Sequence, residues 1–212
     1  MNPPAGLAAR RGGDEIVIAS RNAHKIDEIR RILGDAGLSR PLVGIHEVDG
    51  DVGEVAETEV SFGGNALLKA RAVHAATGLP SLADDSGLAV DVLGGMPGIF
   101  SARWSGRHGD DEANLDLLLA QLSDVGDEHR QAAFVCAVAY VDGAQDIVVA
   151  DEVRGRLIRE RRGENGFGYD PIFVPDGYTV TTAELDSAAK DAISHRGRAL
   201  RAMAQRLAEQ ES

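Results

Sequence analysis

The chain has 212 residues, of which 43% are hydrophobic and 26% are charged, and its formal net charge is −12. This length is sufficient for one domain with a substantial core. No apolar run approaches the roughly 18 residues that a membrane-spanning helix needs. The negative charge disfavours a nucleic-acid-binding surface, because such binding depends on many Lys and Arg contacts with phosphates. A small anionic ligand stays compatible with this composition if positive charge is concentrated locally.

The N-terminal segment has Pro, Gly and charged residues where a secretory signal needs an apolar stretch. We therefore predict a disordered leader at residues 1–14 and a single domain at residues 15–209. The one cysteine, Cys136, lies within an apolar run and has no partner for an intrachain disulfide. Both features favour a cytoplasmic protein.

The first half of the domain contains a strand–loop–helix unit. Residues 15–20 form a β-branched run that predicts a buried strand, and residues 23–37 carry apolar side chains at helical spacing. A second short strand is predicted at residues 41–45. An alanine-rich helix follows at residues 61–77, with Gly78 as its stop signal. Two strands, at residues 80–85 and 87–95, are predicted on either side of a Ser86-Gly87 turn.

The second half combines a hairpin with further helices. Residues 95–109 predict an ordered loop, and Asp110 is suited to cap a helix with a leucine-rich face. Residues 131–141 and 145–155, joined across Asp142-Gly143, predict a long β-hairpin. One helical tract, roughly 187–209, closes the chain. Together these elements predict an α/β fold in which helices cover a mixed β-sheet.

Lysine is rare in this chain, since only three of the 22 basic residues are lysine. A lysine ammonium is a compact point charge suited to phosphate, which the planar arginine fork does not reproduce. The alternative is that three lysines fall at arbitrary positions in an arginine-biased composition. The three positions are Lys25, Lys69 and Lys190.

Several motifs around these lysines suit a phosphorylated ligand. Residues 20–25 bridge a strand and a helix, so that backbone N–H groups and the Lys25 ammonium can face one anion. Asn22 in this loop has the alternative role of a helix cap. Lys69 lies one helical turn after Asn65, although a solvated helix face is the commoner explanation of such a pair.

The adjacent acids Asp84 and Asp85 are the second feature. Alternation along a strand would send one of them towards the core, unless the strand ends there and both turn into a shared space. Two close carboxylates repel each other unless a cation or protons separate them, and Mg²⁺ takes one or two carboxylates together with water and phosphate oxygens. Glu57 is an available third acid. The alternative is a capping Asp beside a surface Asp.

Two C-terminal motifs suit recognition of a base. Residues 164–173 alternate glycine with aromatic residues, and Phe167 or Tyr169 could stack on a flat ligand. A turn packed by its own aromatics is the ordinary alternative. Ser194, His195 and Arg196 supply donors for a carbonyl oxygen or a phosphate. A Ser–His nucleophile is rejected, because neighbouring helical residues diverge and no G-x-S-x-G motif occurs.

In chain order, the segments SRNAHK, SFGGNALLKARA, ADDSGLAVDVLGGMPGIFSARWSG, NGFGYDPIF and KDAISHRGRAL resemble the motifs of the inosine triphosphate pyrophosphatase family. The five segments span nearly all of residues 15–205. The resemblance implies an elongated, twisted mixed β-sheet flanked by helices, with two lobes and a central active-site cleft. It also implies a homodimer, Mg²⁺ as cofactor, and hydrolysis of ITP, dITP or XTP to the monophosphate and pyrophosphate.

Matched position by position, the resemblance implies roles for three sets of residues. The catalytic residues are Asp84, Asp85 and Lys69, with Asp85 as general base, and the metal ligands are Glu57 and Asp85. The triphosphate loop comprises Ser20, Arg21, Asn22, Ala23, His24 and Lys25. The other substrate contacts are Ser86 and, in the base and sugar pocket, Phe167, Gly168, Tyr169, Asp170, Lys190, His195 and Arg196. Arg21 departs from the glycine that many members have, and Trp104 replaces a common tyrosine.

Two other functions are compatible with these motifs. One is a related pyrophosphatase of the septum-inhibition (Maf) type that acts on modified or pyrimidine nucleotides. The other is a nucleotide-binding sensor that binds ITP without releasing pyrophosphate. The intact acid pair argues against the sensor.

Overall fold

The computed structural model describes residues 14–49, 52–53 and 55–210, so the predicted leader lies almost entirely outside the described residues. A mixed β-sheet of seven strands forms the centre of this part of the chain, in the order β2-β1-β3-β5-β6-β7, with β4 paired to β3. The strands are β1 (Ile16–Ile18), β2 (Leu42–Gly44), β3 (Ser81–Val90), β4 (Met96–Pro97), β5 (Gln131–Val141), β6 (Asp146–Leu157) and β7 (Phe173–Pro175). The predicted α/β fold and the long β5–β6 hairpin are confirmed.

Helices cover the sheet at the positions that the sequence pattern predicts. They are α1 (Ala23–Asp35), α2 (Phe62–Thr77), α3 (Asp111–Gln121), α4 (Ser187–Ile193) and α5 (His195–Gln210). Asp110 caps α3, because its side chain accepts the N–H of Ala113. Gly78 ends α2 in the left-handed conformation with φ 69°. No described helix has the length and apolar character needed to cross a membrane.

Strand β3 runs through the position where a turn was predicted. Ser86 and Gly87 pair in register with β5, as do all residues from Ser81 to Val90, so the predicted Ser86-Gly87 turn is wrong. Glycine is needed at position 87 for a different reason. A Cβ there would lie 2.4 Å from Ser101 Oγ and 2.5 Å from the Gly98 carbonyl oxygen, so only glycine lets residues 98–103 dock on the strand.

The C-terminal helical tract is divided at Ser194. This residue has an extended backbone with ψ 151°, which separates α4 from α5. Its Oγ accepts the N–H of Gly197 at 2.9 Å and thereby satisfies a free donor in the first turn of α5. The predicted helical tract at residues 187–209 is therefore present but consists of two helices, because Ser194 caps the second one.

Two core clusters occupy opposite ends of the β3–β5 pair. One contains Leu82 of β3 and packs against α1 and α5, whereas the other contains Leu88 and Val90 and packs against α3. Residues 84–87 of β3 lie between the two clusters. The predicted arrangement of two lobes follows from this division, and the polar middle of β3 faces the cleft between them.

Candidate active site

A cleft with a volume of about 560 Å³ lies between the two lobes. All three lysines of the chain line it. Each lysine is paired with a carboxylate that also lines the cleft: Lys25 with Asp84, Lys69 with Asp85 and Glu57, and Lys190 with Asp170. Cationic side chains are thus concentrated in one concave site of an acidic protein, together with the carboxylates that hold them. This arrangement suits a small anion.

The first loop is ordered by its own side chains. Asn22 caps α1, with its Oδ1 accepting the backbone N–H of Lys25 at 3.2 Å, and Ser20 Oγ accepts the N–H of Asn22 at 3.2 Å. The Arg21 guanidinium donates to the carbonyl of Val52. The capping role of Asn22 is therefore real, and the Lys25 side chain extends into the cleft, where its ammonium pairs with Asp84.

The loop divides into residues that line the cleft and residues that do not. Ser20, Arg21, Asn22 and Lys25 line it. Ala23 and His24 are exposed on the first turn of α1 and are not among the lining residues. A phosphate placed in the cleft would therefore be reached from this loop by the first group of residues.

The two adjacent acids line the same cleft but have different partners on opposite sides of the sheet. Asp84 accepts from Lys25 at 3.2 Å and from Arg196 Nε at 3.1 Å, on the side of the sheet that α1 and α5 cover. Asp85 accepts from Lys69 at 3.0 Å and from Asn65 at 3.2 Å, on the α2 side. Because β3 continues through both residues, strand alternation separates the carboxylates and each acquires its own lysine.

The different surroundings of the two acids shift their pKa values in opposite directions. Burial alone would raise the pKa of Asp84, but the Lys25 and Arg196 cations outweigh it and hold the pKa far below its ordinary value. For Asp85, burial and the neighbouring Glu57 carboxylate raise the pKa, despite the opposing effect of Lys69. Asp84 is thus a fixed anion, whereas Asp85 is the carboxylate more easily protonated. The second property suits a general base.

Glu57 and Asp85 converge on the same ammonium. Lys69 Nζ lies 3.1 Å from Glu57 Oε1 and 3.0 Å from Asp85 Oδ1. Two carboxylates that hold a cation between them and open into a cleft fit Mg²⁺, which takes one or two protein carboxylates and fills its remaining positions with water and phosphate oxygens. A closed cage of three or more acidic, histidine or cysteine ligands is absent from the described part of the chain.

Arg196 is built into the protein rather than projecting freely. It is 2% exposed, and its guanidinium donates from Nε to Asp84, from Nη1 to Glu28 at 2.8 Å and from Nη2 to Ser86 Oγ at 3.0 Å. Three of its five N–H groups are therefore engaged within the protein. Two N–H groups stay available to a ligand at the edge of the cleft.

Of the two aromatic residues in the glycine–aromatic loop, one is exposed at the cleft and the other is buried. Phe167 is 41% exposed, with the Arg196 guanidinium 5.6 Å and the Lys190 ammonium 5.3 Å from its ring centroid. Tyr169 is 4% exposed, and its hydroxyl donates to the carbonyl of Ser101 at 2.9 Å. Of the two candidates for stacking, only Phe167 offers a free ring, because Tyr169 belongs to the core.

Asp170 holds this loop from inside. Its carboxylate accepts the backbone N–H of Phe167 at 2.9 Å and the hydroxyl of Thr182 at 2.8 Å, and it also pairs with the Lys190 ammonium at 2.5 Å. The N–H of Gly168 is bound separately, by Asp111 at 3.0 Å. The ring of Phe167 is thereby presented at a defined position on the rim.

His195 lies at the same end of the cleft. Its ring stacks on Phe134 at a centroid distance of 4.9 Å and an interplanar angle of 10°. Burial, together with the Arg196 and Lys190 charges, lowers its pKa well below the ordinary value. His195 is therefore neutral at physiological pH and offers one N–H donor and one acceptor.

The structure brings further residues to the site that the sequence motifs did not assign. Asn65 was noted as the helical neighbour of Lys69, but its contact with Asp85 required the tertiary structure. Glu28 and Arg103 gave no such signal. Each is one of many similar charged residues in the chain, and only the folded protein joins Glu28 to Arg196 and Arg103 to Glu57.

The fold and site together define an α/β protein whose cleft combines paired cations, suited to a small anion, with two carboxylates suited to a divalent cation. The chain belongs to the Ham1 family, whose family model matches residues 16–206. The predicted membership in this group of proteins is confirmed by close relatives as well.

Three similar proteins illustrate the relationship. A dITP/XTP pyrophosphatase of Streptomyces avermitilis is 60% identical over 188 residues, which cover 88% of this chain and 93% of the relative. The crystal structure of a nucleoside-triphosphatase, described as a dITP/XTP pyrophosphatase, from Mycobacterium abscessus is 55% identical with a TM-score of 0.74, covering 89% of this chain and 97% of that one. A HAM1 protein from Coxiella burnetii is 39% identical with a TM-score of 0.83, covering 92% and 98% respectively.

Proposed function

We propose that this protein hydrolyses the non-standard purine nucleoside triphosphates dITP, XTP and ITP to the nucleoside monophosphate and pyrophosphate, and so removes them from the nucleotide pool. Relatives that are 57–60% identical are named dITP/XTP pyrophosphatases. The observation that carries the proposal is the placement of all three lysines in one cleft, each beside a carboxylate. We propose that residues 15–209 form a single catalytic domain for this reaction.

The triphosphate would bind near the first loop and Lys69. Ser20 and Asn22 order the backbone there, and Lys25 and Arg21 supply positive charge. Phosphoryl transfer needs positioning and charge neutralisation more than a covalent nucleophile. The cleft meets this need, because it contains lysines, arginines and carboxylates.

Asp85 is the general base in this proposal. It accepts a proton from a water molecule whose oxygen attacks the α-phosphorus, and the bond to the bridging oxygen breaks as pyrophosphate leaves. Lys69 holds the Asp85 carboxylate in place and lies where negative charge develops. Glu57 and Asp85 would hold Mg²⁺, which when bound neutralises phosphate charge and orients the triphosphate. Asp84, permanently ionised, keeps Lys25 and Arg196 in position.

The base would lie against Phe167, beside Lys190, His195 and Arg196. A 6-oxo group accepts hydrogen bonds from such donors. The 6-amino group of adenine would instead place a donor against donors and leave buried polar groups unpaired, which is costly. This difference is the proposed origin of selectivity for hypoxanthine and xanthine.

We also propose that the protein is a cytoplasmic homodimer with neither nucleic acid nor membrane as a partner. The net charge of −12 argues against a nucleic-acid surface. Two exposed valines, Val60 just before α2 and Val148 in β6, are candidates for a subunit contact. Val60 is 91% exposed, and Val148 is 43% exposed with its Cγ1 next to Gly63. Light scattering of the wild type and of Val148→Glu would test this assignment, because an unchanged mass would exclude this surface.

A panel of nucleotides tests the function. We expect Mg²⁺-dependent release of pyrophosphate from dITP, XTP and ITP with kcat/KM well above the values for GTP, ATP and CTP. Preferential turnover of a pyrimidine or modified nucleotide would favour the Maf-type activity instead. Tight binding of ITP without release of pyrophosphate would favour the sensor.

A further inference from the structure

Glu57 is held by two cations that come from different elements. Its Oε1 accepts from Lys69 Nζ at 3.1 Å, and its Oε2 accepts from Arg103 Nη1 at 2.7 Å. Both carboxylate oxygens are therefore engaged. The three side chains are 16–28% exposed, so the ion pairs are partly shielded from water.

Asp85 differs from Glu57 in this respect. One of its oxygens accepts from Lys69 and the other accepts from the neutral amide of Asn65. Lys69 already bridges the two acids, so Arg103 is an additional cation bound to Glu57 alone. With Arg103 included, two carboxylates face two cations. A divalent cation that arrives alone would thus meet a cluster without net negative charge.

The backbone that carries Arg103 is anchored, whereas the side chain is long. Two residues earlier, Ser101 Oγ accepts the N–H of Leu88 at 2.9 Å and donates to the carbonyl of Gly98 at 2.6 Å. The guanidinium extends from this anchor over the ring of Phe100, at 5.4 Å from its centroid, and reaches Glu57. Arg103 can leave Glu57 by rotation of its side chain, without displacement of the loop.

We propose that Arg103 competes with the divalent cation for Glu57, so that the free protein binds the metal weakly and binds it well only together with a polyphosphate. The negative charge of the polyphosphate supplies an alternative partner for the guanidinium and frees Glu57. This inference rests on the proposed function, because it assumes that Glu57 and Asp85 hold the metal. It assigns to Arg103 a positioning role that makes metal binding conditional on the nucleotide.

The test uses Mn²⁺ alone, without nucleotide, with the free ion followed by electron paramagnetic resonance. We expect Arg103→Gln to bind Mn²⁺ about five- to tenfold more tightly than the wild type, because the competing charge-assisted hydrogen bond is removed. The matched control is Arg154→Gln, which changes the net charge equally. Arg154 pairs with exposed Asp91 and does not line the cleft. The Mn²⁺ affinity of Arg154→Gln should therefore equal that of the wild type.

Two further variants keep the test decisive. Arg103→Gln combined with Glu57→Gln should lose the gain in affinity, and Arg103→Lys, which keeps a charge with a different reach, should lie between the wild type and Arg103→Gln. Equal Mn²⁺ affinity of Arg103→Gln and the wild type would overturn the inference, provided that thermal melting shows both proteins to be folded. A gain that survives the Glu57 substitution would overturn it as well.

Release of pyrophosphate from dITP is measured separately on the same proteins. If the wild type hydrolyses dITP and Arg103→Gln shows no gain in Mn²⁺ affinity, the inference fails and the proposed function stands. If Mn²⁺ affinity rises as expected but the wild type releases no pyrophosphate from any nucleotide, the proposed function fails and the competition at Glu57 stands.

Discussion

The Lys69 ammonium lies 3.0 Å from Asp85 Oδ1 and bridges this carboxylate to Glu57. Because the two acids come from different parts of the chain, the shared lysine is what joins their carboxylates directly. The charge balance at this point determines how the proposed base is oriented.

Asp85→Asn should fold and bind nucleoside triphosphate but lose most of its turnover. The substitution keeps the shape of the side chain and its neighbours Asn65 and Lys69, while it removes the proton acceptor and one metal charge. General-base catalysis typically contributes 10²–10⁴-fold, so we expect kcat for dITP to fall by at least about a hundredfold. Asp91→Asn, at an exposed ion pair, is the control. Near-wild-type turnover of Asp85→Asn at saturating Mg²⁺ would contradict the assignment.

Lys69→Arg should be damaging even though the charge is retained. The ammonium occupies a confined position between Glu57 and Asp85, where a planar guanidinium needs more room. We expect kcat/KM to fall by about tenfold or more. The reciprocal exchange Arg71→Lys, on the same helix at an exposed pair with Asp146, should leave it unchanged. Equal effects of the two exchanges would show that the shape of the cation at position 69 is unimportant.

Phe167→Ala should weaken nucleotide binding without weakening the fold. The ring is 41% exposed and faces the cleft, and stacking of a base on an aromatic ring contributes about 1–3 kcal/mol. We therefore expect KM for dITP to rise by roughly five- to a hundredfold. Tyr169→Phe is the opposite case, since it removes a buried hydrogen bond to Ser101 and should lower the free energy of unfolding by about 1 kcal/mol. If Tyr169→Phe raised KM and Phe167→Ala lowered only the free energy of unfolding, Tyr169 would be the base-stacking residue and Phe167 the structural one.

Because of His195, the free energy of unfolding should depend on pH below neutrality. Its pKa is lowered in the folded protein, so the unfolded chain binds a proton at a higher pH than the folded protein does. The stability contribution is thus complete above about pH 6.5 and is lost as pH falls towards the folded-state pKa. In His195→Gln, the slope of the unfolding free energy between pH 5 and 6.5 should decrease by up to about 1.4 kcal/mol per pH unit.

Gly87→Ala should destabilise the protein by about 1–3 kcal/mol, because the new methyl group would overlap the Gly98 carbonyl and Ser101 Oγ. Gly34→Ala is the matched control. Gly34 lies in α1 with nothing within 4 Å of the added carbon, and alanine there should stabilise by roughly 0.5–1 kcal/mol. Chemical denaturation measures both changes. A tolerated alanine at position 87 would mean that the loop of residues 98–103 can retreat from β3.

The sequence alone determined most elements and marked several of the segments that line the cleft. Hydrophobic periodicity, the Asp110 cap and the Gly78 stop are local signals, because they depend on neighbours a few residues apart. The scarcity of lysine was also visible without a structure. It marked Lys25, Lys69 and Lys190, which the fold then brought to one cleft.

Only the tertiary structure decided how these residues are paired. Whether residues 84–87 turn or continue depended on ten registered pairs with β5, a strand about 50 residues away in the chain. Continuation of β3 sent Asp84 and Asp85 to opposite faces, and burial beside different cations then shifted their pKa values in opposite directions. The contacts of Arg196 with Glu28 and of Arg103 with Glu57 join distant segments, and local sequence carries no record of such contacts because they form only when the sheet brings the segments together.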